Sequence, residues 1–150
     1  MIPYVALGAF TGARRSEILR LHWSHIWRIK GQLELEAHRT KTCQRRLVPI
    51  QPNLKAWLAP WKNSTGPIWT DSDSAFHHAL EMLMKATDLK GRNLLRHSYA
   101  SYRLAQIEDA PKVALELGHS VQKLFSNYRS LVTQDEATLW FGIMPPEQYR

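Results

Sequence analysis

The sequence predicts an α+β domain, mostly α-helical, with a small three-stranded antiparallel sheet on one flank. Apolar residues recur at helical spacing before Ile26 and again after Asn53, whereas one block between Trp27 and Ile50 alternates with period 2. Glycine and proline mark the boundaries between these segments. With 44% hydrophobic residues in a chain of 150, there is enough apolar side chain for one buried core, and a folded domain is expected.

The first helix runs from Ile2 to Phe10 and is apolar all round. Gly12, which takes a positive φ at little cost, ends it, and Ile18, Leu19 and Leu21 resume a helical stripe that runs through Trp23 and Ile26. The stretch Thr11-Gly12-Ala13-Arg14-Arg15-Ser16-Glu17 is therefore a rigid corner that delivers Arg14 to a fixed place. Trp27-Arg28-Ile29, the turn Lys30-Gly31-Gln32 and the alternating Leu33 to Ala37 read as a hairpin. A third strand, Arg45 to Ile50, follows the polar turn Lys41-Thr42-Cys43-Gln44, which puts Lys41 at a hairpin tip, and Pro49 marks an end or an edge.

Asn53 to Leu58 is a short helix closed by Pro60, followed by a loop from Asn63 to Pro67. Asp73 or Ser74 caps a longer helix with Phe76, Ala79, Leu80, Leu83 and Met84 on one face. Another helix starts near Asn93 and reaches about Ile107. Pro111 suits a first helical turn, Val113 and Leu117 point inward, and Gly118 ends that helix. Ser120 caps the next one, whose Val121, Leu124, Phe125 and Tyr128 share an inward face. The capping-box pattern Thr133 to Glu136 starts a tail helix, within residues 133–150, that carries Leu139, Trp140 and Phe141.

A formal charge of +7 favours an anionic partner, most often nucleic acid, because clustered Lys and Arg release counterions from phosphates. The single cysteine, Cys43, has no intrachain partner, and neither a secretory signal pattern nor a membrane-length apolar run is present. A cytoplasmic setting without membrane association is expected. The histidines form no HExxH pattern; His22, His25, His77 and His78 read as surface or boundary residues, and no metal is assigned. Met1 leads almost directly into a segment that reads as buried, so the sequence reads as if it starts partway into a domain.

Taken singly, the polar residues have ordinary explanations. Arg14 could pair with Glu17 on a solvated face, Arg96 could cap a carbonyl, Lys41 could be a solvated turn residue, and His119 a cation near a helix C-terminus. Tyr128 at i+7 of an apolar stripe is ordinarily a core residue. In order, however, a TGxRxxE corner, a hairpin lysine, an Asn-x-x-Arg-His helix start, Leu117-Gly118-His119 and a tyrosine nine residues later resemble the catalytic domain of tyrosine recombinases, the phage-integrase family. The match runs from about Tyr4 to Tyr128, and the resemblance implies a single catalytic domain over 1–150 that starts partway into the family pattern, without the N-terminal DNA-clamping domain.

The resemblance implies that Arg14 and Arg96 grip a scissile DNA phosphate, that Lys41 is the hairpin lysine and His119 the phosphate-contacting histidine, and that Tyr128 is the nucleophile. It also implies site-specific recombination or integration, as in mobile genetic elements, through a 3′-phosphotyrosine that conserves the energy of the cleaved bond. Double-stranded DNA and further protomers are the implied partners; no cofactor and no small-molecule substrate enter. The chemistry needs these residue types: two planar guanidiniums match the non-bridging oxygens and stabilise a transition state with extra negative charge. A phenol of pKa ~10 must shed its proton as it attacks, which nearby cations ease. Lys41 beside two arginines would have a lowered pKa suited to protonating the departing 5′-oxygen. Glu17 is expected to orient Arg14, and His97 to give structural support.

At Asn93 the family pattern has a histidine or, less often, a lysine. An amide can donate and accept hydrogen bonds but cannot transfer a proton in this pH range. If the position only buttresses the phosphate, activity survives in reduced form; if it accepts the Tyr128 proton, the protein is slow or inactive. Two further functions are therefore open: a catalytically impaired DNA-binding remnant or accessory subunit, and a nicking and relaxing activity of the type IB topoisomerase sort. The tail helix either packs on a neighbouring protomer or docks Trp140 and Phe141 on its own domain.

Overall fold

A computed structural model of the chain describes residues 1–36, 45–91, 93–127 and 132–149. The chain organises around α1 (Ile2–Thr11), of which Pro3, Tyr4, Ala6 to Thr11 are all buried, as its uniformly apolar sequence requires. Packed on it are α4 (Pro52–Leu58) and α6 (Leu94–Ile107), and α6 in turn receives α9 (Gln134–Phe141). The approach of α1 to α6 is close because Gly8 has no side chain: a Cβ there would stand 2.8 Å from Leu95 Cδ1.

The segment after α1 is less continuous than its periodicity suggests. α2 (Arg15–Ile18) is a single turn and α3 (Trp23–Trp27) a separate short helix, not one helix reaching Ile26. The interruption has a hydrogen-bonding cause. Trp23 N–H donates to Gly66 O and Ile68 N–H to Leu21 O, so residues around His22 pair with the 66–68 loop instead of with the preceding turn.

Among the described residues the sheet has two antiparallel strands, β1 (Gln32–Leu35) and β2 (Arg46–Pro49), with Leu33 opposite Val48; this corrects the expected three. Trp27 belongs to α3 and Arg28 N–H still donates to Ser24 O, so the backbone needed for a further strand is already used in helix. Only Ile29 reaches Gln32, as an isolated bridge across the Gly31 turn. Buried Glu34 on β1 is paired with Arg28 and Arg45.

α5 (Asp73–Thr87) is capped by Ser72, whose Oγ accepts from Ala75 N–H, one residue before the expected cap. Phe76 alone of its apolar face is fully buried; Leu80, Leu83 and Met84 line an apolar cavity of about 540 Å³ against α1 and α6. α7 (Ala110–Leu117) buries Val113 and Leu117 and stops at Gly118, φ 66°. Along α8 (Val121–Asn127), Ser120 accepts from Lys123 N–H and Leu124 is buried, but Phe125 is 53% exposed, contrary to the inward face expected. The reciprocal Thr133/Glu136 capping box opens α9 as expected. Its Trp140 stacks on Tyr102 at 4.5 Å and donates Nε1–H to Ala9 O, and Phe141 meets Tyr99 edge-on at 6.2 Å, so the tail helix docks on its own domain. No helix among the described residues is long and apolar enough to cross a membrane.

Candidate functional site

The corner at Gly12 is held from two sides. Its φ of 63° is left-handed, and a Cβ would lie 2.5 Å from Tyr99 Cδ1 and 2.7 Å from Leu117 Cδ2, so neither the conformation nor the space admits a side chain. The next residues place Arg14 at the N-cap of α2, where Glu17 reaches back: Arg14 N–H donates to Glu17 Oε2 at 2.6 Å and Arg14 Nη1 to Oε1 at 3.0 Å. Arg14 Nη2 also donates to Gly118 O at 3.3 Å, across 104 residues of sequence. Glu17 orients Arg14, as expected.

Glu17 is itself buried and takes a second guanidinium. Arg46 on β2 donates Nη1 to Oε1 at 2.9 Å and Nη2 to Oε2 at 2.8 Å, a two-point pairing that a planar fork suits, and its Nε donates to Glu116 O at 2.8 Å. Burial works to raise the Glu17 carboxyl; the Arg46 hydrogen bonds and charge, then those of Arg14, outweigh it and bring its pKa to about 2. One buried arginine thus ties the β2 strand to the Arg14 corner and to the end of α7.

Arg96 rises from the first turn of α6 and is buried. Its Nη1 donates to Gly12 O and its Nη2 to Leu117 O, both at 2.6 Å. The carbonyls exposed by two glycine-ended helices, α1 and α7, therefore fix both arginines in orientation. His119 follows directly; burial, then the charges of Arg96, Arg14 and Lys123, lower its pKa to about 4 against the opposing Ser120 carbonyl. At neutral pH it is an uncharged imidazole beside two guanidiniums, able to donate one N–H.

Asn93 adopts left-handed backbone, φ 58°, at the N-cap of α6. Asparagine tolerates that region better than most residues, which gives a backbone reason for an amide at this position. Arg14, Arg15, Ser16, Leu19, Asn93 and Arg96 line one open depression of about 470 Å³. Of the expected site residues, Arg14, Asn93 and Arg96 thus share one surface, with His119 electrostatically coupled to it. Lys41 and Tyr128 lie outside the described residues.

The sequence reading missed Arg46, Glu116 and Arg103. Glu116 takes Tyr99 O–H at 2.7 Å and Arg103 through Nε at 2.9 Å and Nη2 at 2.8 Å, beneath the turn that presents His119. Burial, and then Glu116, raise the Tyr99 phenol well above its ordinary pKa, so Tyr99 holds its proton and serves the scaffold. Signals for these residues exist in the sequence. Arg46 occupies the same strand face as Val48 while Leu47 faces out, inverting the usual alternation, and Arg96, Tyr99, Ala100 and Arg103 form an i, i+3, i+4, i+7 stripe on α6.

No protein-family model matches the chain, and no curated protein matches it in sequence. A solved structure does: the crystal structure of XerA recombinase superposes with a TM-score of 0.71 over 91% of this chain, at 18% sequence identity. The chain covers 54% of that structure's length. The mostly helical chain, with a two-stranded sheet among its described residues, has the recombinase catalytic-domain fold.

Proposed function

We propose that the chain cleaves and rejoins DNA strands in site-specific recombination. The observation that carries this reading is the convergence of Arg14 and Arg96 on one open depression, each oriented by a carbonyl at a glycine-ended helix. Such fixed cations suit a phosphodiester whose transition state gains negative charge, and preorganised donors of this kind supply on the order of 3 kcal/mol each. In the proposed reaction the Tyr128 hydroxyl releases its proton to solvent as its oxygen attacks phosphorus, the bond to the 5′-oxygen breaks, and Lys41 gives that oxygen a proton. His119, neutral at pH 7, donates to a phosphate oxygen. Rejoining reverses the step with a 5′-hydroxyl as nucleophile, so no external energy source is consumed.

A second reading is favoured by Asn93: DNA binding with catalysis impaired, as in an accessory subunit. The left-handed backbone there accounts for asparagine without a chemical role. A nicked suicide duplex separates the readings. Under the first, the full chain forms a covalent adduct with DNA that is lost in Tyr128→Phe. Binding with no adduct in the unmodified chain supports the second and overturns the first.

A further inference from the structure

Arg14 and Arg15 are consecutive, yet their guanidiniums are engaged on different sides. Arg14 turns toward Glu17 and the Gly118 carbonyl at the end of α7. Arg15 turns toward α5: its Cζ stands 4.9 Å over the Phe76 ring, and its Nη2 lies 2.6 Å from His77 Nε2. Phe76 is a rigid support, being fully buried and packed edge-on by Tyr4 at 4.8 Å and Trp69 at 5.1 Å. A cation over an aromatic face within about 6 Å is held electrostatically, and the imidazole nitrogen accepts its N–H only when uncharged.

The charges of the site differ in how they are matched. Glu17 neutralises part of the Arg14 and Arg46 pair, and Glu116 faces Arg103. Arg15, in contrast, meets an aromatic ring and an imidazole, and among the described residues it has no carboxylate in ion-pair range. It is held in place without being neutralised, on the wall of the depression it shares with Arg14, Asn93 and Arg96.

We infer that Arg15 is a phosphate-binding residue that takes a second backbone phosphate of the same DNA strand, beside the one gripped by Arg14 and Arg96. This rests on the DNA reading of the depression above. Successive phosphates of one strand lie within about 3.4 Å of helix rise, so a cation on the same wall but directed away from Arg14 meets a neighbouring phosphate. The Phe76 and His77 platform on α5 restricts the long side chain in advance, which reduces the ordering cost of binding.

The test is the salt dependence of binding, read by fluorescence anisotropy of a labelled generic duplex with the full chain between about 50 and 200 mM salt. Losing one phosphate contact lowers the slope of log affinity against log salt by about 0.9. Arg15→Gln is expected to show that loss and Arg15→Lys to keep the slope. His77→Glu sets a carboxylate against the Arg15 guanidinium from an exposed position, and it is expected to lower the slope by a similar amount even if Arg15→Gln proves unstable. His78→Glu makes the same charge change on an exposed neighbour and is expected to leave the slope in place. Unchanged slopes in both Arg15→Gln and His77→Glu, or equal losses in His77→Glu and His78→Glu, overturn the assignment while the DNA reading stands. An unmodified chain that binds duplex without salt dependence, or not at all, overturns both.

Discussion

Replacing Glu17 with glutamine keeps the shape of the side chain and removes the charge that two arginines share. The carboxyl falls from its ordinary 4.5 to about 2 in the folded chain, which corresponds to about 3 kcal/mol of stabilisation at neutral pH. The sign follows from the depressed value: the unfolded chain binds the proton first, so the contribution is complete above pH 4.5 and is lost as pH falls toward 2. At pH 3 about 1 kcal/mol of it remains. Glu17→Gln also leaves the buried Arg46 guanidinium facing an amide, and broken buried pairs cost about 3 to 5 kcal/mol. Urea unfolding of the two proteins at pH 7 and at pH 3 measures the difference. The variant is expected to be less stable by about 3 kcal/mol or more at pH 7, with a gap that narrows by about 2 kcal/mol at pH 3. A gap of the same size at both pH values would refute the reasoning, because it would mean that the Glu17 charge contributes nothing beyond packing.

Two further outcomes follow from the same geometry. His119, held near pKa 4 against an ordinary 6.5, favours the folded state when neutral, so its contribution is whole above pH 6.5 and is lost as pH falls toward 4. His119→Asn should therefore lose less thermal midpoint than the unmodified chain between pH 7 and pH 5; equal losses would count against a half-buried neutral imidazole. Gly12→Ala forces a Cβ to 2.5 Å from the buried Tyr99 ring in a left-handed backbone, and should cost roughly 2 kcal/mol or more in denaturant unfolding. A neutral substitution would show that the corner holding Arg14 and Arg96 is looser than its packing implies.

How much of this was legible beforehand depended on the distance over which each feature is decided. The stop of α7 at Gly118, the Thr133/Glu136 capping box and the corner that presents Arg14 are settled by a few adjacent residues, and each formed where the sequence indicated. Failures arose where a local pattern met a distant partner. The stripe through Trp23 and Ile26 reads as one helix, yet the 66–68 loop takes its backbone hydrogen bonds. The alternation that suggested a third strand was defeated by α3 extending to Trp27. Phe125 matched the inward stripe of its helix but lies at the surface, since periodicity identifies a face without showing what covers it.

The amino-acid sequence alone determined the mostly helical class, the glycine-ended helices and the order in which Arg14, Asn93, Arg96 and His119 come along the chain, because propensity, punctuation and capping act between neighbours. Only the tertiary structure decided that Arg46 would share Glu17 with Arg14 from 29 residues away, that Arg15 would turn to His77 across 62, and that Trp140 would bond to Ala9 across 131. The physical reason is that a polar group takes whichever partner the packed helices bring within hydrogen-bond reach, and that choice is made by the whole core at once.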